Sequence, residues 1–268
     1  IYLQPVVRTL SERVCGYEAL ARWIDPIYGF ISPGDFVPIL EDNGLSYRLD
    51  TFVVKRVAEI QSRNADQGIP IVPISVNISR SDFDNCSPVD VITGALDEYG
   101  LRRNCICVEI TETALMNNEG IIKQEIGRFN EAGIEVWMDD FGSGFSSLNL
   151  LKDYNFDEIK LDMLFLRDFS EKSKVIMTMA VKMAKELGIH TLAEGVENEE
   201  QIEFLKSIGC EKIQGYYYSK PLPINELNKY LSKQGLMFET REEKSVYEKT
   251  GLIDVVTQQA LGLVFLTV

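Results

Sequence analysis

Short strand-type runs alternate along this chain with longer stretches in which apolar residues recur every three or four positions, the pattern of a parallel α/β sheet or barrel. The strand-type runs cover residues 2–7, 16–21, 71–77, 105–110, 134–138, 156–161, 190–193 and 212–215. Between them the periodicity predicts helices over 45–63, 89–99, 120–132, 172–187 and 199–208. In the fourth of these windows Ile176, Ala180, Met183 and Leu187 follow one another at four, three and four residues, so this stripe and the methionines of the helix are expected to pack on the sheet. Gly133, Gly188 and Gly209 stand where helices should stop.

Eight strands with interleaved helices in about 235 residues match the size of a (β/α)8 TIM-like barrel, typically about 250 residues long. Residues 8–15 are too few for the crossover that a parallel pair needs. The first strand is therefore expected to run antiparallel, which makes the barrel irregular there. The barrel is assigned to residues 1–235. Residues 236–268 read as a linker and helix, with a charged helical stretch at 240–249 and a strand-type apolar run at 261–268. This tail either leads into a further domain or is an appended packing element.

Composition adds a large core, with 45% hydrophobic residues against 25% charged. No uncharged apolar run of about 18 residues encodes a membrane span. The chain opens directly in a strand at Ile1 with no signal-peptide pattern, so it is expected to be a segment of a longer cytoplasmic protein, whose other segments could attach it to a membrane. The five cysteines lack metal or disulfide-framework spacing and are expected to stay reduced. A single histidine, His190, excludes a multi-histidine metal site and is expected to be a structural residue on its strand. The net charge of -14 argues against a DNA or RNA polymer as partner. An anionic substrate would need cations supplied locally.

That requirement directs attention to the strand ends, where barrel enzymes carry their active sites. Glu18 lies in the second run, Asn77 ends the third, and Glu109 with Glu112 closes the fourth. Asp139 and Asp140 end the fifth, Lys160 and Asp162 the sixth, Glu194 and Glu197 the seventh, and Gln214 the eighth. Taken alone, Asp139-Asp140-Phe141-Gly142 also reads as a surface turn. Repeated on strand after strand, acids and amides read as a ring of oxygen ligands suited to Mg²⁺ or Mn²⁺, and not to zinc, for which the Cys and His ligands are missing. Adjacent carboxylates repel, and a shared cation is one of the usual ways to offset their charge.

These residues resemble the EAL-domain phosphodiesterases that hydrolyse the bacterial messenger cyclic di-GMP. The tripeptide that names the family stands as Glu18-Ala19-Leu20, within Gly16-Tyr17-Glu18-Ala19-Leu20-Ala21-Arg22-Trp23. Gln4-Pro5, Val76-Asn77-Ile78-Ser79, Glu109-Ile110-Thr111-Glu112, Asp139-Asp140-Phe141-Gly142, Lys160-Leu161-Asp162, Ala193-Glu194-Gly195-Val196-Glu197 and Gln214-Gly215-Tyr216 follow in the family's order.

The resemblance implies an EAL barrel with two metal ions. Glu18, Asn77, Glu109 and Asp139 would hold one, and Asp139, Asp140 and Glu194 the other, with Asp139 bridging. It implies that Lys160 positions the attacking water with Asp162 close by, and that Glu197 and Gln214 support the same shell. Arg22 would contact a substrate phosphate and Gln4 would touch substrate. Glu112 would anchor the loop after Asp140. That loop and the following helix often form a dimer interface in the family, so a homodimer is expected, along with flanking signalling domains in the full-length protein. Ser143 and Phe145 replace the usual Thr and Tyr of the loop, and Ala21 replaces a bulkier residue. The rival readings are an inactive cyclic di-GMP receptor, a glycoside hydrolase using paired carboxylates, and a structural interaction module.

Overall fold

A barrel strand that faces a filled interior on one side and helices on the other has no solvent face, which is why these strands read as nearly unbroken apolar runs. The computed structural model describes residues 1–115, 119–142 and 147–250. Ten strands occur among them: β1 (Tyr2–Arg8), β2 (Val14–Leu20), β3 (Trp23–Asp25), β4 (Gly29–Ile31), β5 (Ile74–Asn77), β6 (Ile106–Thr111), β7 (Val136–Phe141), β8 (Glu158–Leu161), β9 (His190–Ala193) and β10 (Lys212–Gln214). Eight close into a barrel in the order β1, β10, β9, β8, β7, β6, β5, β2, while β3 and β4 form a separate hairpin. All eight expected strands are present.

β1 runs antiparallel to both neighbours, pairing Gln4 with Glu18 on β2 and Val6 with Gln214 on β10. The cause is local, since the chain turns back within a few residues, the Arg8 N–H donating to the Arg13 carbonyl at 2.8 Å. All other barrel pairs are parallel, with helices between them.

The β3–β4 hairpin has no counterpart in the expected pattern. It stands outside the barrel with Ile27 and Tyr28 at its exposed tip, 82% and 80% accessible. Pro33 then starts a helix, Pro33–Asp42, whose N-terminus is capped by the Ser32 hydroxyl.

The helix Glu171–Glu186 corrects the expected packing stripe. Ala180 is buried and Met183 partly buried, but Ile176 and Leu187 are 51% and 54% accessible and Met179 is exposed as well. The face on the barrel is Ser173, Met177, Ala180, Val181 and Ala184. A spacing of three and four residues fits two overlapping faces of one helix, and here the face of Met177, Val181 and Ala184 turns inward.

His190 is on β9 as expected, its Nδ1 2.6 Å from Glu211 Oε2. The cysteines of the chain are all free thiols. Beyond residue 235 the chain remains on the barrel: the Val14 N–H donates to the Met237 carbonyl, the Glu239 N–H donates back to Val14, and Arg8 Nε meets Glu239 Oε1 at 2.7 Å in a buried pair. The helix Arg241–Thr250 follows. The apolar run at 261–268 and the loop positions Ser143 and Phe145 lie outside the described residues.

Candidate active site

Parallel strands place their carboxyl ends at one mouth of the barrel, and the expected acids arrive there from different strands. The fully buried Lys160 of β8 is the hub: its Nζ lies 2.8 Å from Glu109 Oε2, 2.9 Å from Glu194 Oε1, 3.0 Å from Asp139 Oδ1 and 3.8 Å from Glu18 Oε1. Asn77 Nδ2 donates to Glu18 Oε1 at 3.4 Å. Gln214 Nε2 donates to Glu18 Oε2 at 2.5 Å and to Gln4 Oε1 at 3.1 Å, and Gln4 Nε2 donates to the Ser219 carbonyl at 3.2 Å. Gln4 is therefore buried in a chain of amides that ends on Glu18.

Strict alternation along β7 would send Asp139 and Asp140 to opposite faces. The β7–β8 register is irregular between Met138 and Phe141, and Asp140 takes a left-handed backbone with φ 56°. This bulge lets ligand oxygens of Asp139, Asp140 and Glu194 lie within 4.8 Å of one another. The Asp140 N–H donates to Asp139 Oδ1 at 3.0 Å, which helps to hold the turn.

The charge balance is uneven. Burial alone would lower the Lys160 pKa, but Asp139, Glu109, Glu18 and Glu194 outweigh it and keep the ammonium protonated well beyond its usual range. Burial pushes Glu109 well up, opposed by Lys160 and reinforced by Glu18 and Asp139. Burial likewise raises Glu194 to about 8 against the pull of Lys160, and raises Asp140 to about 6 with help from Asp139 and Asp162. All of these shifts run upward: burial drives those of the carboxyls, and a single ammonium serves more carboxylates than it can neutralise. Among the described residues, the buried Glu109 Oε1 and Gln214 Oε1 also lack hydrogen-bond partners. An orphaned carboxylate oxygen, a surplus of negative charge and an all-oxygen donor set fit a hard divalent cation.

The remaining expected residues lie around this centre. Arg22 Nη1 donates to the Ala21 carbonyl at 2.8 Å, and its side chain lines a cleft of about 790 Å³ shared with Asn77, Arg80, Thr111 and Asp140. Asp162 Oδ1 accepts from the Leu164 N–H at 2.8 Å, so it also caps the turn after β8. Glu197 is exposed, with its backbone N–H bonded to Gln201. Glu112 is buried at the start of the short helix Glu112–Leu115, and the loop it is expected to anchor lies outside the described residues.

Sequence reasoning missed an acid pair beside the cleft, of which Asp50 lines the wall and Asp82 is buried behind it. The Ser79 N–H reaches Asp82 Oδ2 at 2.9 Å and Asp50 Oδ2 at 3.3 Å, bringing the two carboxyls together. Burial and the Asp50 carboxylate raise Asp82 to about 9. The available signal was the capping pattern Ser79-Arg80-Ser81-Asp82, an N-cap serine with an acid three residues on.

Comparison with known proteins places this geometry in a family. The EAL domain profile matches residues 1–221. The cyclic di-GMP phosphodiesterase NbdA of Pseudomonas aeruginosa is 34% identical over 233 residues, covering 86% of this chain and 30% of that protein. This chain thus spans under a third of that relative's length. Among solved structures, the PaMucR phosphodiesterase in complex with c-di-GMP superimposes with a TM-score of 0.79 at 31% identity, covering 84% of this chain and 92% of the other. An EAL domain protein from Listeria monocytogenes gives a TM-score of 0.73 at 29% identity, with 87% and 92% covered.

Proposed function

Because this chain belongs to the EAL-domain family, we propose that it hydrolyses cyclic di-GMP to linear pGpG at the mouth of the barrel, using two divalent cations, Mg²⁺ or Mn²⁺. The observation that carries the reading is the convergence of Glu18, Glu109, Asp139 and Glu194 on Lys160, with Asn77 and Asp140 alongside. Every expected ligand position holds a carboxylate or amide. Glu18, Asn77, Glu109 and Asp139 would hold one cation, and Asp139, Asp140 and Glu194 the second. When bound, such a pair acidifies a water and neutralises charge on the phosphoryl oxygens.

The chain's own residues do the rest. Lys160, with Asp162 close by, orients the water in line with the bond to be broken. Glu197 and Gln214 support the shell around that water. The new bond joins the water oxygen to phosphorus, the bond from phosphorus to the ribose 3′-oxygen breaks, and the proton lost by the water ends on the departing oxygen. Arg22 offers its guanidinium to a substrate phosphate from the wall of the cleft, and the cleft is large enough to receive one nucleotide arm of the substrate. Gln4 borders the same site, and Glu112 supports the loop after Asp140.

In the cell this domain would act in the cytoplasm, joined to signalling domains and paired with a second copy. Incubation of the purified chain with cyclic di-GMP and Mn²⁺, followed by chromatography, should give pGpG, and EDTA should stop it. Tight binding without product would identify a receptor instead. Cleavage of a glycoside that survives chelation would point to different chemistry.

A further inference from the structure

We propose that Lys160 is the resident counter-cation of the acid centre: it ties the carboxylates together before metal binds and competes with divalent cations for the same oxygens. The inference rests on the two-metal reading above. Its basis is position. Lys160 projects from β8, while Glu18 comes from β2, Glu109 from β6, Asp139 from β7 and Glu194 from the end of β9, so one ammonium links five segments of the barrel. All five side chains are largely buried, and among the described ion pairs Lys160 supplies the only cation within 4 Å of the four carboxylates. Without it, Glu109, Asp139 and Glu194 would face one another with no ammonium to offset their repulsion.

The same placement makes Lys160 a competitor. Asp139 and Glu194, both within 3.0 Å of Nζ, belong to the group whose oxygens lie close enough to hold a metal ion. A dication entering there meets an ammonium already bound to its ligands and must take over part of that coordination. The exchange has a use: an ammonium released from carboxylates is free to hold a water molecule. Five carboxylates, Glu18, Glu109, Asp139, Asp140 and Glu194, are balanced by two dications together with this one lysine, so Lys160 changes partners without leaving the centre.

The test compares Mn²⁺ binding to chelator-stripped wild type and Lys160→Met by titration calorimetry, with melting temperatures in EDTA and in Mn²⁺. Removing a competing positive charge should tighten Mn²⁺ binding about tenfold or more. The variant should melt well below wild type in EDTA and gain more from Mn²⁺ than wild type does. Recovery of the variant in folded form only when Mn²⁺ is present would support the same conclusion. If Lys160→Met folds under neither condition, Lys160→Gln, uncharged but still a hydrogen-bond donor, takes its place in the comparison. Equal or weaker Mn²⁺ affinity in the variant would show that Lys160 serves only to arrange the ligands, which overturns the inference and leaves the two-metal reading intact. Failure of both proteins to take up Mn²⁺ overturns the two together.

Discussion

Asp139 and Asp140 are consecutive residues of one strand, yet their carboxylates converge, because the left-handed backbone of Asp140 turns it toward its neighbour. Asn tolerates that conformation and Ala does not, a difference of about 1 kcal/mol. Asp140→Asn should therefore melt at or above the wild-type temperature in EDTA, while Asp140→Ala melts lower. Both should lose about a hundredfold or more in turnover of cyclic di-GMP, since a metal site supplies several kcal/mol of charge stabilisation.

Gln4 reaches the acid centre through Gln214 and Glu18. Gln4→Ala should lower kcat more than it raises KM, because it loosens Glu18 without removing the cleft. A rise in KM with kcat unchanged would place Gln4 directly on the substrate.

The Asp50–Asp82 pair gives the chain a pH dependence of stability. Asp82 keeps its proton in the folded state up to about 9, whereas in the unfolded chain it ionises in the normal carboxyl range. The folded form therefore binds the proton more tightly, and stability falls as pH rises from that range through about 9. Asp82→Asn should flatten this fall and raise the melting temperature at alkaline pH by a few degrees, about 3 °C. Melting curves of wild type and variant across pH decide it, and parallel curves would refute it.

The buried pair of Arg8 with Glu239 fastens the segment beyond residue 235 to the floor of the barrel. Arg8→Ala strands a buried carboxylate and should cost about 3 kcal/mol in urea unfolding. Ending the chain at Gly235 also removes the backbone bonds from Val14 to residues 237 and 239 and the edge contact of Phe238 with Tyr17. The shortened chain should melt at least about 5 °C lower; an unchanged melting temperature would make the strap dispensable.

The barrel was legible because each strand is a short apolar run closed by a polar residue, and the short link after Arg8 gave away the antiparallel start. Where residues satisfy two patterns at once, the reading failed. Ile176 and Leu187 have the spacing of a buried stripe, but only packing decides which face of a helix turns inward, and here Met177, Val181 and Ala184 do. Trp23–Asp25 and Gly29–Ile31 are too short to show a periodicity. For the site, motif order brought forward the acids that meet, but not the bulge that aligns Asp139 with Asp140 or the burial that turns Gln4 toward Gln214. Asp50 and Asp82 escaped notice because they lie on separate elements and come together only when the helix Ser46–Asp66 docks.

The reversed direction of β1 also sets a limit on when this protein can become functional. Its pairing with β2 is local and quick to form, whereas its pairing with β10 brings Gln4 to Gln214 from 210 residues away. That distant seam is where Glu18, already beside the Asn77 amide, acquires Gln214 as its second amide partner, so closing the barrel completes the polar shell of the acid centre. During synthesis or refolding, a chain that stops short of residue 212 already carries every carboxylate of the centre and Lys160 among them, yet it lacks Gln214, the amide that joins Glu18 to Gln4.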